Sequence, residues 1–274
     1  MVKTKIIATL GPVSKTEKII RKMMLAGMDA ARLNFSHGSH HDMLDKIKIV
    51  RALNSKYRRR IRILGDLQGH RIRIGELSTP VELKKRKAIL LTQNDVKGNS
   101  ETIPFDYRGS LSPIKQGYHI FIDDGNICLE VTGRIRNSLK AKVVVGGLLK
   151  AHKGINIPGA RLDFGKLSLK DKGDIIFCAE NKIDYIAQSF VRSARDVLEI
   201  KGMLRDYSFC HKVVAKIECR EGIRNIDEII KVSDGILIAR GDMGVSLPIH
   251  EIPVIQKMII RKCNKVKKFV ITAT

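Results

Sequence analysis

Apolar runs of four to seven residues recur along the chain, and a segment with helical spacing of apolar positions follows most of them. A short apolar run bounded by turn residues is typical of a strand buried in a sheet. Strands that alternate with helices predict an α/β fold with a parallel sheet. We predict seven such strands, at residues 5–10, 30–35, 61–67, 185–190, 213–218, 235–239 and 269–272.

Helix signals separate these strands. Ser14 and Glu17 have the spacing of a capping box, in which each side chain accepts a hydrogen bond from the other residue's backbone at a helix start. Similar signals begin at Ser168 and Ser193. The alternation of strands and helices fits a (β/α)8 TIM-type barrel that lacks its last strand, or a doubly wound sheet. The polar residues at the strand ends, described below, favour the barrel.

The pattern changes between about residues 69 and 162, where short β-type segments follow one another with no convincing helix. Glycine-containing turn signals interrupt this stretch at residues 97–99, 124–126 and 146–147. We therefore predict an inserted all-β domain at 69–162, after the third strand. The barrel domain would then consist of residues 1–68 and 163–274.

The charge of the chain limits its partners. The 51 Lys and Arg residues outnumber the 28 Asp and Glu residues, which gives a formal net charge of +23. Such a charge favours anionic partners, among them nucleic acid, anionic lipid and phosphorylated metabolites. Aromatic residues make up only 5% of the chain and no nucleic-acid-binding motif occurs, so we expect no nucleic-acid partner.

The sequence also gives no indication of a membrane protein, a zinc-binding protein or a disulfide-stabilised protein. No apolar stretch approaches the ~20 residues that a membrane-spanning helix needs, and the apolar run at residues 6–10 is too brief for a signal peptide. The five cysteines are scattered and lack the CxxC spacing of a zinc site or a disulfide framework. We expect a soluble, cytoplasmic protein with no membrane partner.

Polar side chains occupy the ends of the second and third predicted strands. Arg32, Asn34 and Ser36 are two residues apart, so an extended chain would direct them to one side. A guanidinium beside an amide and a hydroxyl suits a phosphate and a hard cation. Asp66 would add a carboxylate oxygen from the neighbouring strand end. The alternative is a polar barrel lining without a ligand.

The later strands end in charged residues. Lys216 and Glu218 are two residues apart at the end of the fifth strand, and burying both is costly unless they are paired or bound to a ligand. Asp242 lies in Arg240-Gly-Asp-Met-Gly244, whose glycines let backbone N–H groups approach an anion. Glu218 and Asp242 would form a divalent-metal site of the Mg²⁺ type, where carboxylates share the ion with substrate oxygens.

Several motifs together resemble one enzyme family along the whole chain. They are Thr4-Lys-Ile-Ile-Ala-Thr-Leu-Gly-Pro12, Ala31-Arg-Leu-Asn-Phe-Ser-His-Gly38, Ala215-Lys-Ile-Glu-Cys-Arg-Glu-Gly222, Ser233-Asp-Gly-Ile-Leu-Ile-Ala-Arg-Gly-Asp-Met-Gly244 and Val270-Ile-Thr-Ala-Thr274. In type, order and spacing these motifs resemble the signatures of the pyruvate kinases. Within the insert, Ile122-Asp-Asp-Gly125 and Lys153-Gly-Ile-Asn-Ile-Pro-Gly159 resemble that family's mobile lid domain.

The resemblance implies phosphoryl transfer from phosphoenolpyruvate to ADP, giving pyruvate and ATP. It implies that Arg32 holds the phosphate of phosphoenolpyruvate and that the backbone of Gly241 and Asp242 holds its carboxylate. Lys216 would stabilise the phosphoryl group in flight and the enolate left behind. Thr274 would bind substrate and help to deliver the final proton. Closure of the lid would exclude water.

The resemblance also implies two cation sites and a nucleotide site. Mg²⁺ would be held by Glu218 and Asp242. The predicted K⁺ ligands are Asn34, Ser36, Asp66 and the carbonyl of Leu67, and the predicted nucleotide contacts are Asn34, His37, Arg73 and Lys153.

Four positions depart from the family pattern, namely Gln68, His70 and the pair Cys219-Arg220. The family pattern also continues past Thr274 into an eighth strand and a C-terminal domain, and a barrel without that strand would leave two unpaired edges. We expect a homo-oligomer or a complementing chain. The alternatives are an inactive remnant or one half of a split enzyme that acts as an assembly module, and a metal-dependent lyase or aldolase on a similar barrel.

Overall fold

The structure is a computed structural model that describes residues 4–69, 71–160, 162, 163, 165 and 167–273. Its strands in chain order are β1 (Ile7–Thr9), β2 (Ala30–Asn34), β3 (Arg62–Asp66), β4 (Ile72–Arg73), β5 (Val81–Leu83), β6 (Ala88–Thr92), β7 (Thr102–Pro104), β8 (His119–Ile122), β9 (Ile127–Ile135), β10 (Ser138–Val145), β11 (Gly147–Leu149), β12 (Gly154–Asn156), β13 (Tyr185–Gln188), β14 (Lys212–Ile217), β15 (Gly235–Ala239) and β16 (Phe269–Ala273). Its α-helices are α1 (Glu17–Leu25), α2 (His40–Tyr57), α3 (Leu169–Glu180), α4 (Ala194–Leu204), α5 (Arg220–Arg224), α6 (Ile226–Val232), α7 (Arg240–Ser246) and α8 (Ile252–Lys265).

The seven predicted strands form one parallel sheet in the order β1-β2-β3-β13-β14-β15-β16. Sheet order follows chain order, and helices follow most of the strands, as in a (β/α)8 barrel. Within the described part of the chain, β1 and β16 each pair with a strand on one side only. The fold prediction is therefore confirmed as an incomplete barrel rather than a doubly wound sheet.

Two apolar clusters cover the two faces of this sheet. The larger cluster packs the sheet against the helices and includes Leu33, Ile186 and Ile236. The smaller one includes Leu64 and Val214 and lies on the inner face. Because side chains two residues apart share a face, the residues that follow Leu64 and Val214 at that spacing also point into the barrel.

The insert has its own sheet and its own core. Seven strands run in the order β4-β12-β8-β9-β10-β6-β7, and β5 pairs with β11 beside them. In the seven-stranded sheet of the insert, all strand pairs are antiparallel except β6 and β7, which are parallel. A separate apolar cluster fills the insert with residues from Ile72 to Ile157. The bounds of 69–162 for this domain stay a prediction.

Gly69 begins the passage from the barrel into the insert. Its φ of +67° lies in the left-handed region, and a Cβ there would meet the backbone oxygen of Ser189 at 2.6 Å. Both facts make glycine the residue that fits. The backbone N–H of Gly69 donates to the buried carboxylate of Asp171 at 3.1 Å, which fixes this exit from the barrel.

The helix signals were right in part. Ser168 caps α3, and Ser193 and Asp196 form the capping box of α4. The capping box predicted at Ser14 is wrong, because Ser14 ends a short 3₁₀ turn and accepts a hydrogen bond from the backbone of Gly11. No described helix is long and apolar enough to cross a membrane.

Candidate active site

Four adjacent strands, β2, β3, β13 and β14, bring polar groups together at their C-terminal ends. Lys216 near the end of β14 is the centre of this cluster. Its Nζ lies 3.0 Å from Asp66 Oδ1 and 3.1 Å from Glu218 Oε1, and it donates to Ser189 Oγ at 2.6 Å. The lysine side chain is only 10% exposed and both carboxylates are 1% exposed. The cluster is therefore a buried ion network facing the inside of the barrel.

Arg32 extends the network to β2. Its Nε and Nη2 lie 2.7 and 2.6 Å from Asp66 Oδ2, and its Nη1 donates to Thr9 Oγ1 at 2.8 Å. The Arg32 side chain remains 30% exposed, whereas Asp66 is almost fully buried. A guanidinium fixed on one side by a carboxylate can present its remaining N–H groups to an anion from solvent.

Glu218 is held by both charge and backbone. The backbone N–H of Phe190 donates to Glu218 Oε2 at 2.6 Å, and Phe190 adopts a φ of +55°. A bulky residue in this left-handed region is an outlier of the kind that clusters at functional sites. Burial raises the pKa of Glu218, the charge of Lys216 opposes the rise, and the charge of Asp242 adds to it.

The lysine remains charged despite its burial. Burial alone would lower the pKa of Lys216, but the charges of Glu218 and Asp66 outweigh that effect and raise the pKa. A protonated lysine fixed between two carboxylates is a preorganised positive charge, which can stabilise negative charge that develops on a reacting group.

Glu218 and Asp242 have the chemistry of a divalent-cation site. Both offer hard oxygen donors, and the charge of Asp242 acts on Glu218, so each carboxylate would gain from a cation between them. Among the described residues, no group of three or more His, Cys, Asp or Glu side chains is placed to hold a metal. Two carboxylates are a donor set that suits Mg²⁺, which commonly uses one or two carboxylates together with water and substrate oxygens.

Arg71 joins the insert to the barrel beside this pair. Its Nη2 lies 2.6 Å from Asp124 Oδ1 in the insert, and its Nη1 lies 3.8 Å from Asp242 Oδ1. Its guanidinium also lies 5.9 Å from the centre of the Phe190 ring. One arginine at the connection thus contacts both the insert and the carboxylate predicted to bind metal.

Comparison with known proteins identifies the family. The model of the pyruvate kinase barrel domain matches residues 1–274. The chain belongs to the pyruvate kinase family. It is 44% identical over 273 residues to the pyruvate kinase of Thermococcus litoralis, covering 99% of this chain and 58% of that protein. It is 41% identical to the enzymes of Staphylococcus aureus and Geobacillus stearothermophilus, covering 100% and 99% of this chain and 47% of each relative. The chain thus spans about half the length of these relatives.

Some predicted pyruvate kinase residues lie apart from the Lys216 network. Arg73 is in the insert, where its Nη1 donates to the carbonyl oxygen of His152 at 3.0 Å. Lys153 forms an ion pair with Asp123 at 2.7 Å, also within the insert. His37 is exposed in the turn after β2. These three predicted nucleotide contacts therefore come from two domains, and their role stays a prediction.

The turn after β2 also differs from the expected extended strand. β2 ends at Asn34, and the backbone N–H of Ser36 donates to Asn34 Oδ1 at 3.1 Å, which makes a local turn. Ser36 therefore does not continue the alternation of Arg32 and Asn34. Gly241 and Asp242 lie in the first turn of α7.

The predicted K⁺ ligands are largely occupied by protein groups. The carbonyl of Leu67 accepts from Ser189 Oγ at 2.8 Å, and Asp66 contacts both Arg32 and Lys216. A third positive charge beside Asp66 would be poorly balanced. The described residues therefore fit K⁺ less well than they fit Mg²⁺. Thr274 and His70 lie outside the described residues.

Sequence reasoning missed three residues of this site, namely Ser189, Phe190 and Arg71. Ser189 and Phe190 directly follow β13, the one of these four strands for whose end no site residue is predicted. That position was a usable signal for Ser189, because active-site groups of barrels gather at strand ends. Nothing in the sequence indicates the unusual backbone angle of Phe190 or the reach of Arg71 across the connection.

Proposed function

We propose that this chain carries the catalytic site of a pyruvate kinase, which transfers the phosphoryl group of phosphoenolpyruvate to ADP and yields pyruvate and ATP. The observation that supports this most is the buried, charged Lys216 between Asp66 and Glu218, with Arg32 beside it. Phosphoryl transfer depends on positioning and on neutralising negative charge, and this network supplies fixed positive charge at one place.

Each residue has a distinct task in this proposal. The exposed side of Arg32 binds the substrate phosphate, and the backbone N–H groups of Gly241 and Asp242 bind the substrate carboxylate. Lys216 faces the phosphoryl group as its bond to the enol oxygen breaks and a bond to the terminal phosphate oxygen of ADP forms. It then stabilises the enolate until carbon takes up a proton. Thr274 is proposed to assist in that proton transfer.

The nucleotide binds at the mouth of the site. His37 and Asn34 contact it from the turn after β2, and Arg73 and Lys153 contact its phosphates from the insert. Because the last two belong to the insert, its approach to the barrel would complete the nucleotide site and exclude water from the reacting groups.

Two cations complete the proposal. Mg²⁺ held by Glu218 and Asp242 would neutralise charge on the phosphate oxygens. For K⁺, the proposed ligands are Asn34, Ser36, Asp66 and the carbonyl of Leu67. This second assignment rests on the family resemblance, since Asp66 already contacts two cationic side chains. A rate that is unchanged between K⁺-free buffer and ~100 mM KCl would remove K⁺ from the proposal.

A coupled assay with lactate dehydrogenase tests the function directly. Phosphoenolpyruvate, ADP and Mg²⁺ should give pyruvate in the parent chain, and Lys216→Met should abolish the signal. Lys212→Met is the matched control, because Lys212 is exposed at the start of the same strand. No activity in the parent chain, or full activity in Lys216→Met, would contradict the proposal.

The metal site has its own test. Asp242→Asn should raise the Mg²⁺ concentration for half-maximal rate at least about tenfold, because one of two carboxylate ligands is lost. Asp206→Asn changes the charge equally at an exposed position and should leave that concentration unaltered. An unchanged Mg²⁺ requirement in Asp242→Asn would exclude Asp242 as a ligand.

A second candidate, an assembly role, rests on the edges of the barrel sheet. Within the described residues, β1 and β16 each have one unpaired side, and such edges favour pairing with another chain. We propose a homo-oligomer or a complementing chain in the cytoplasm. Size-exclusion chromatography with light scattering tests this, and a folded, soluble monomer with full activity would contradict it.

A further inference from the structure

A cavity of about 170 Å³ lies where the insert meets the barrel. Its walls come from both connections of the insert, at Arg71–Ile72 and at 155–160, and from the segments that follow β13 and β14. The cavity is therefore formed jointly by the two domains. It is smaller than the ~300–1,000 Å³ of pockets for drug-sized ligands, so it suits a small metabolite.

Positive charge dominates the lining of this cavity. Its described lining residues include four arginines and a single acidic residue, Glu221. The arginines are Arg71, Arg192, Arg220 and Arg224. Arg220 and Arg224 are four residues apart in α5 and are both exposed, so their side chains lie on one face of the helix. Arg71 is already paired with Asp124 outside the lining, so the positive charge that favours an anion comes from the other arginines.

Arg192 is held in place by the protein, whereas Arg220 retains donors for a ligand. Arg192 Nη1 donates to the carbonyl oxygen of Leu162 at 2.9 Å, which fixes this arginine to the barrel side of the second connection. Arg220 Nη1 lies 3.9 Å from Glu251 at the surface, a loose ion pair. A guanidinium has five N–H donors, so this loose contact does not exhaust those of Arg220.

Much of the remaining wall is apolar, although Asn156 also lines it. Ile72, Ile155 and Ile157 come from the insert and its connections, and Phe190 comes from the barrel. Apolar walls beside a few convergent polar groups are typical of sites for small organic ligands. A simple inorganic anion would use the arginines but leave this wall without a partner.

The cavity is separate from the phosphoryl-transfer site proposed above. None of Arg32, Asp66, Lys216, Arg73 and Lys153 contributes to its lining. The two sites communicate through Arg71 and Phe190, because Arg71 also contacts Asp242 and the backbone of Phe190 holds Glu218. An occupant of the cavity would therefore touch the groups that position the predicted metal ligands.

We propose that this cavity is a second ligand site, which binds a small organic phosphate monoester. The phosphate oxygens accept from the guanidinium groups of Arg220 and Arg224, and the carbon skeleton lies against the isoleucines and Phe190. A dianionic phosphate balances the two positive charges of Arg220 and Arg224 better than a single carboxylate does, and it offers three oxygens to two planar donors. The ligand bridges the insert and the barrel.

Calorimetric titration with glycerol 3-phosphate tests the proposal on the full chain. The double variant Arg220→Gln/Arg224→Gln should weaken binding at least about tenfold, since two charge-assisted contacts are lost. Arg195→Gln/Arg205→Gln removes the same charge from two exposed positions, one in α4 and one directly after it, and should bind within about twofold of the parent. Glycerol and lactate, which lack the phosphate, should bind at least about tenfold more weakly than glycerol 3-phosphate.

Binding at the phosphoryl-transfer site is distinguished by a third variant. Arg32→Gln should retain binding of glycerol 3-phosphate, because Arg32 is not part of the cavity. Loss of binding in Arg32→Gln, unchanged binding in Arg220→Gln/Arg224→Gln, or no binding by the parent chain would each overturn the proposal. Equal affinity for inorganic phosphate would overturn the organic part of it. Circular dichroism of each variant identifies any loss of fold.

Discussion

Replacing Lys216 by Met is the sharpest test of the buried ion network. Lys216 is the cation that contacts Glu218, within the described residues, and both side chains of this pair are almost fully buried. Removing one partner of a buried pair leaves an uncompensated charge and typically costs ~3–5 kcal/mol. Asp66 keeps its contact with Arg32, so only Glu218 is left without a cation. We therefore expect the free energy of unfolding to fall by about 3 kcal/mol, near the lower end of that range.

Urea unfolding monitored by circular dichroism measures this loss. With a slope of ~3 kcal/mol per molar urea for a chain of this size, the midpoint should fall by about 1 M. A second substitution separates stability from chemistry. In Lys216→Met/Glu218→Gln the neutral amide can still accept from the backbone of Phe190, so most of the lost stability should return while the kinase assay remains negative.

The pH dependence gives an independent check. Burial holds the pKa of Glu218 above its ordinary value of 4.5, and Lys216 opposes that rise, so Lys216→Met should raise the pKa further. A carboxyl whose pKa is higher in the folded state binds protons more tightly when folded, so acidification toward 4.5 stabilises that state. The stability deficit of Lys216→Met should therefore shrink as the pH is lowered from neutral toward 4.5, because the variant gains more from protonation of Glu218 than the parent does. A deficit that is absent, independent of pH or untouched by Glu218→Gln would refute the reasoning.

Two other substitutions probe support and packing. Lys170 donates to the carbonyl oxygen of Phe35 at 2.6 Å beside the turn after β2. Lys170→Met should therefore lower kcat/KM roughly fivefold, which corresponds to about 1 kcal/mol of activation free energy, whereas Lys172→Met in the same helix should leave it unchanged. Equal effects of the two substitutions would show that Lys170 has no positioning role. A Cβ on Gly235 would meet the Phe269 ring at 2.4 Å, so Gly235→Ala should destabilise the barrel by ~1–3 kcal/mol in urea unfolding. Gly173 in α3 has open space around it and is the control, so Gly173→Ala should stabilise the protein by ~0.5–1 kcal/mol. A change of the same sign at both glycines would contradict this explanation from packing.

The order of the barrel strands could be predicted because each strand is a short apolar run with turn residues on both sides. The ends of those strands could not be placed as well. The second run continues in sequence through Phe35, yet β2 ends at Asn34 because the Asn34 side chain accepts the backbone N–H of Ser36. Asn favours such local bonds over strand pairing, and the apolar Phe35 is buried in the turn instead. Apolar pattern alone does not distinguish these two outcomes.

The site could be predicted to the extent that single strands carry it. Lys216 lies two residues after Val214, and Asp66 two residues after Leu64, so the period of a strand places both charges on the inner face. The contacts that come from elsewhere are not encoded in that period. Phe190 contributes a backbone N–H, which any residue has, and Arg71 reaches Asp242 across a domain connection. Such contacts depend on the tertiary arrangement and have no local sequence signal.

The largest difference between the sequence prediction and the structure concerns Asp66, which the sequence predicts to be an oxygen ligand for a cation. In the structure Asp66 is the shared counter-ion of Arg32 and Lys216, the two groups proposed to meet the substrate phosphate. A substrate anion that binds both cations would compete with Asp66 for their donors, so affinity and catalysis are linked through one carboxylate. Replacing Asp66 by Asn would remove that competition but leave two cations close together. The substrate phosphate should therefore bind more tightly while the arrangement of Lys216 for transfer is lost, which lowers KM and kcat together.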